Sequence, residues 1–224
     1  MMPVRVVVVG TGTEVGKTHV STCLLASARA RGMRVGAYKP VATGIDGRCD
    51  DAERHAEALG SPYVHPTFTY RRPVSPHLAA REEGRPIDLD VIGRRADELA
   101  LAVDVLLIEG AGGLFSPLSD TESNITLVKR LLPAHVILVA ADRLGVLHDV
   151  GACLAAAVAS GVAITSVVLS APATPDESTG SNARELARIG AGRNVAVFPR
   201  ARFDDEESHA AARVVWERLA LTTS

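Results

Sequence analysis

The feature that most constrains this chain is a glycine-rich turn set between an apolar run and a helical pattern. Val4–Val9 is nearly all valine, and Gly10-Thr11-Gly12-Thr13-Glu14-Val15-Gly16-Lys17-Thr18 follows it at once. A buried strand that empties into such a turn and then into a helix is arranged to bind phosphate. Backbone without Cβ approaches an anion closely, the N–H groups of the turn converge, and the helix N-terminus is partly positive. Lys17 adds a full charge for the β- and γ-phosphates, and the Thr18 hydroxyl is of the type that ligates magnesium. The usual spacing leaves four residues between its first glycine and Gly-Lys-Thr. Thr11 stands at that place here, flanked by Gly10 and Gly12.

The rest of the chain repeats the strand-then-helix order. Apolar runs at Val4–Val9, Val35–Tyr38, Val105–Ile108, Val136–Ala140, Ile164–Leu169 and Val195–Phe198 barely alternate in polarity, as strands buried on both faces do. Helical patterns lie at Lys17–Arg31, Ala52–Leu59, Leu89–Ala102, Ile125–Leu132, Leu147–Ser160, Asn182–Ile189 and Glu206–Leu219, and Gly32 supplies a stop for the first of them. This order predicts one α/β domain over residues 1–224, a P-loop NTPase with a mostly parallel sheet and helices on both faces.

Composition narrows the function classes. Hydrophobic residues are 47% and charged residues 22%, which excludes a disordered chain. The net charge of −2 gives no electrostatic case for nucleic acid or an anionic membrane, and 4% aromatics supply no stacking platform. Three scattered cysteines make neither a disulfide framework nor a zinc site; Cys23 and Cys153 fall inside helix patterns as small core residues. Val4–Val9 is far shorter than a spanning helix, Gly10 cuts it off and no basic stretch precedes it, so a signal peptide is not expected. The uncharged stretch Val150–Pro175 reads as a buried helix, a turn at Gly161 and a strand over Ala163–Leu169, so the expectation is a cytoplasmic protein without a membrane segment.

In a parallel sheet, ligands gather beyond the carboxyl ends of the strands. Glu109 follows Val105–Ile108 and opens Glu109-Gly110-Ala111-Gly112-Gly113; it is placed to hold Mg²⁺ or orient a nucleophile, or simply to cap a turn. Asp50 and Asp51 precede a helix, where N-capping is the simplest role. Lys39 follows the second strand and is placed to neutralise a γ-phosphate or an anionic acceptor. His77, in Pro73-Val74-Ser75-Pro76-His77, is a base or, more simply, a turn or helix entry.

Taken together these segments resemble the dethiobiotin synthase family. The matching stretches are Gly-Thr-Gly-Thr-Glu-Val-Gly-Lys-Thr (10–18), Gly-Ala-Tyr-Lys-Pro-Val-Ala-Thr-Gly (36–44), Ser-Pro-His (75–77), Glu-Gly-Arg-Pro-Ile (83–87), Glu-Gly-Ala-Gly-Gly (109–113), Phe-Ser-Pro-Leu-Ser-Asp (115–120) and Leu-Gly (144–145). The resemblance implies ATP-dependent ring closure of 7,8-diaminononanoate with CO₂. An N7 carbamate attacks the γ-phosphate, and the N8 amine then displaces phosphate. It implies Mg²⁺ on Thr18, Asp51 and Glu109. Nucleotide contacts are implied from Gly12 through His19 (Thr13, Glu14, Val15, Gly16, Lys17 and Thr18 between them), and from Asp51, Glu109, Gly110, Ala111 and Gly112. At the base they are implied from Ser170, Pro199, Arg200 and Ala201. Catalytic roles fall to Lys17, Lys39 and Thr13. Substrate contacts fall to Thr13, Lys39, Thr43, Gly112, Leu144, Gly145 and His148. A homodimer with a shared substrate site is implied as well.

Two positions depart from the family pattern. Ser170 and Ala171 stand where an Asn often reads the adenine edge, so weak selectivity for the base is expected. His148 stands where some members carry an Asn, given by the other subunit, for the substrate carboxylate. Three other readings use the same loop. A MinD/ParA-like ATPase switch usually carries a further lysine early in the loop, absent from positions 10–15; a cobyric-acid-synthase-like amidoligase domain normally continues into a glutaminase. An inactive nucleotide-binding module would not need Lys17, Thr18, Lys39, Asp51 and Glu109 together.

Overall fold

A computed structural model describes residues 3–191 and 195–219. Six strands form a parallel sheet in the order β2-β5-β1-β6-β7-β8: β1 (Val4–Gly10), β2 (Val35–Tyr38), β5 (Val105–Gly113), β6 (His135–Ala141), β7 (Ser166–Ser170) and β8 (Val195–Phe198). The helices are α1 (Lys17–Ala30), α2 (Asp50–Leu59), α3 (Pro76–Glu82), α4 (Leu89–Ala100), α5 (Asn124–Arg130), α6 (Val146–Ala159), α7 (Asn182–Arg188) and α8 (Glu206–Arg218).

Period-two alternation along β1 explains why helices are needed on both sides. Val7 and Val9 pack into the core that holds Ile92 of α4 and Val128 of α5, while Val6 and Val8 pack into the core that holds Leu24 of α1 and Trp216 of α8. Trp216 is fully buried and its indole N–H donates to the Leu24 carbonyl at 3.2 Å, tying the last helix to the first.

The structure extends or corrects the sequence reading at several places. β5 continues to Gly113 instead of stopping at Ile108, so Glu109 lies inside a strand and is fully buried. β7 begins at Ser166, two residues after the expected start. α2 begins at Asp50, with Cys49 in the capping position, so neither aspartate is the N-cap. A short parallel pair, β3 (Val41–Thr43) with β4 (Phe68–Tyr70), was not anticipated, nor was α3. His77 lies in the first turn of α3, beside Ser75 Oγ at 3.0 Å, in its simpler role.

α6 differs most from expectation. Val146, Val150 and Ala157 are buried against the sheet, yet Ala152 and Ala155 are exposed and Val158 is 75% exposed. Its sequence lacks the polar stripe that normally marks an outward face. Among the described residues no helix is long and apolar enough to cross a membrane.

Candidate active site

The turn after β1 bends as its sequence requires. Gly16 has φ +92°, and a Cβ there would lie 2.3 Å from Ser170 Oγ, so only glycine fits between the loop and the end of β7. Glu14 also takes a positive φ, of 57°. α1 starts at Lys17 with no side-chain cap on its free N–H groups, which leaves them for an anion. Lys17 Nζ donates to the Gly12 carbonyl at 3.2 Å and so lies folded over the loop.

Four elements deliver charge to the same point. Lys39, just past β2, places Nζ 2.7 Å from Glu109 Oε1 and 2.7 Å from Asp51 Oδ2. The Thr18 hydroxyl of α1 lies 2.8 Å from Asp51 Oδ1 and 2.9 Å from Glu109 Oε1. On the far side, His55 Nε2 is 2.9 Å from Glu109 Oε2. Lys39, Glu109 and His55 are all buried. Buried charges at this density persist only when each is paired.

The pairing shows in the acid–base behaviour. Burial pushes Glu109 toward its neutral form, but Lys39 and the His55 hydrogen bond reverse this and hold the carboxyl well below its ordinary value. Burial likewise works against the Lys39 ammonium, and Glu109 and Asp51 overturn it, so the group stays protonated. Lys17 has no such carboxylate contact: burial first, then the neighbouring Lys39 charge, lower it to about 8.

The centre opens into a cavity of about 760 Å³. Thr13, Glu14, Val15, Gly16, Lys17, Thr18, His19, Lys39, Thr43, Asp51, Glu109, Ala111, Gly112 and Arg200 all line it. An adjoining recess of about 490 Å³ is lined by Gly16, His19, Ser170, Ala171, Arg200 and Ala201 among others. His19 Nε2, 2.7 Å from the Pro199 carbonyl, ties α1 to the loop after β8. Gly110 is buried behind the floor rather than lining it; a Cβ there would lie 3.2 Å from Asn124 Oδ1. Leu144, Gly145 and His148 line neither cavity; all three are exposed at the start of α6.

Several contributors escaped the sequence reading. Asn124 Nδ2 donates to the Ala111 and Gly113 carbonyls at 2.6 and 2.7 Å and fixes the turn beyond Glu109. Arg48 and Arg54 add positive charge to the wall. His55 was legible in principle, because it follows Asp51 by four residues and so shares its helix face.

Wholly parallel sheet, glycine-rich turn, Lys17 and Thr18 together define a P-loop nucleotide-binding protein. A family model described as "AAA domain" matches residues 4–204. The nucleotide-binding protein in complex with ADP from Archaeoglobus fulgidus shares the fold at 16% identity and a TM-score of 0.54, covering 95% of this chain and 88% of that one. The ATP-dependent dethiobiotin synthetase of Caulobacter sp. (strain K31) is 42% identical over 171 residues, 73% of this chain and 74% of the relative. That of Frankia casuarinae is 36% identical over 196 residues, covering 86% and 82%, and that of Escherichia coli (strain K12) is 40% identical over 158 residues, covering 66% and 68%. The chain belongs to the ATP-dependent dethiobiotin synthetase family and is an ATP-dependent ligase.

Proposed function

We propose that one domain of this chain closes the ureido ring of dethiobiotin from 7,8-diaminononanoate and CO₂, with ATP converted to ADP and phosphate, and that the centre around Lys39 carries the phosphoryl transfer. The observation that carries this reading is the Lys39 ammonium seated between Glu109 and Asp51, at the mouth of the phosphate turn. Carbamate and triphosphate are both anions and repel. Bringing them together needs fixed positive charge that costs no reorganisation at the moment of reaction. Lys17 and Lys39 supply it from two sides. Lys39 uses two of its three N–H groups on carboxylates and keeps one for the carbamate or γ-phosphate oxygen.

The donor set suits a hard divalent cation. A hydroxyl and two carboxylates meet beside the phosphate turn, with Thr18 Oγ1 within 2.9 Å of an oxygen of each acid. Among the described residues no group of three or more His, Cys, Asp or Glu is spaced to hold a metal alone, so phosphate and water oxygens must complete the shell. Thr18, Asp51 and Glu109 would hold Mg²⁺. When bound, it neutralises charge on the β- and γ-phosphate oxygens.

Thr13, Thr43 and Gly112 line the same cavity as Lys39, and we assign the diamine to that cavity. Holding the carbamate and the N8 amine in one folded pose makes ring closure intramolecular. The recess at Ser170, Arg200 and Ala201 takes the base. Leu144, Gly145 and His148 reach a substrate only if a second copy presents them. The exposed apolar side of α6, with Val158 outward and Leu144 exposed just before the helix, supports pairing of two chains there. Light scattering at micromolar concentration tests that stoichiometry, and a monomer overturns it.

The test of the reaction is direct. Purified protein with Mg-ATP and bicarbonate should release phosphate only when the diamine is added, with dethiobiotin detected by mass. Phosphate release indifferent to the diamine overturns the synthetase reading in favour of a nucleotide switch.

A further inference from the structure

His55 is a buried histidine whose Nε2 lies 2.9 Å from Glu109 Oε2. A carboxylate only accepts, so Nε2 carries a proton in this contact and donates it. The other oxygen, Oε1, is shared by Lys39 Nζ at 2.7 Å and Thr18 Oγ1 at 2.9 Å. Glu109 is therefore held from behind through one oxygen and used from the front through the other.

This division has a consequence when phosphate arrives. Lys39 stands on a flexible four-carbon stem and binds Glu109 and Asp51 at once. Its third N–H is free for a new anion, but a divalent cation arriving at Oε1 repels the ammonium there and loosens its grip on Glu109. A carboxylate held by Lys39 alone would follow it, whereas one pinned by a rigid ring stays. The ring itself is fixed by packing: the space beside it, among Ala37, Ala52, Ala56, Leu59 and Val64, is only about 10 Å³. That is room for one water at most.

We propose that His55 is a positioning residue for Glu109: it occupies Oε2, so that the buried carboxylate offers the divalent ion of the nucleotide complex a single fixed oxygen, Oε1. The inference rests on Glu109 being a metal ligand, as assigned above. Because Asp51 and His55 lie one turn apart on α2, this helix supplies one ligand and the anchor of the other.

The test measures ADP affinity by calorimetry with and without Mg²⁺, in wild type and in His55→Leu, His55→Gln and His55→Asn. Glutamine places an N–H where Nε2 stands; asparagine stops at the level of Nδ1. Metal-free affinity should stay level, while the strengthening by Mg²⁺ should fall about tenfold in His55→Leu and His55→Asn and survive in His55→Gln. Full strengthening in the leucine or asparagine variant overturns the proposal. So does an equal loss in the glutamine and asparagine variants, which would reduce His55 to packing. If His55→Leu does not fold, judged by its thermal melt, the glutamine–asparagine pair decides. A wild type that gains nothing from Mg²⁺ fails the metal assignment itself, a separate result.

Discussion

The two ends of the binding cleft are built on different principles. At the phosphate end, five side chains from four elements, Thr18, Lys39, Asp51, His55 and Glu109, bond to one another within 2.9 Å. At the recess end small residues, Ser170, Ala171, Pro172, Ala173 and Ala201, alternate with the long side chains of Arg54, Arg143 and Arg200. Buried charge demands partners, so the first end is rigid and specific by necessity. The second shapes a space edged by separate arginines instead of one bonded centre. Chemistry should therefore fail sharply when the first end is altered, and selectivity should shift gently when the second is.

The sharpest break in that contrast is Lys39→Ala. Removing one preorganised charge from the reacting centre should lower turnover about 10²–10³-fold. Glu109 loses its main cation, and breaking a buried pair commonly costs about 3–5 kcal/mol, softened here because the acid can take up a proton. The variant should melt at lower temperature yet still bind ADP, since the loop and Lys17 remain. Turnover near the wild-type value, measured as diamine-dependent phosphate release, rejects the role given to Lys39.

A smaller effect separates the two lysines by pH. Lys39, held between carboxylates, stays charged throughout the working range, whereas Lys17 sits at about 8. Bound phosphate favours the ammonium, so nucleotide binding takes up a proton wherever free Lys17 has lost it. Affinity for ADP should be nearly flat below pH 8 and fall roughly tenfold by pH 9. Calorimetry in buffers of different ionisation heat should show proton uptake appearing over the same interval. An affinity flat to pH 9 would mean that Lys17 does not meet the phosphates.

The same contrast explains what could be read from the sequence. The central strands were legible because burial on both faces leaves unbroken Val/Ile/Leu runs, and the phosphate turn because its glycines have no other economical use. β3 and β4 were not, since three residues carry no period to detect. The open side of α6 was hidden because alanine and valine read alike whether covered by the sheet or left outward. At the site, Lys39 and Glu109 announced themselves by following apolar runs. The His55–Glu109 contact spans 54 positions and joins a helix to a strand; nothing local signals it beyond the four-residue step from Asp51.

The gentlest prediction tests the recess. Ser170 is buried with its Oγ toward Gly16, and it stands where the family resemblance expects an asparagine amide at the base edge. A wall that encloses the base without such an amide should discriminate weakly between adenine and cytosine. Ser170→Asn adds one donor–acceptor group, and a single hydrogen bond to a neutral partner is worth about 0.5–1.5 kcal/mol. The ratio of kcat/KM for ATP over CTP should therefore rise by about two- to tenfold, with turnover on saturating ATP little changed because Lys17, Lys39 and Glu109 are untouched. The gain is limited by geometry, because Gly16 presses against residue 170 and the longer side chain must turn into the recess to avoid it. An unchanged ratio in a folded variant would locate base recognition elsewhere on the wall, with Arg200 the next residue to vary.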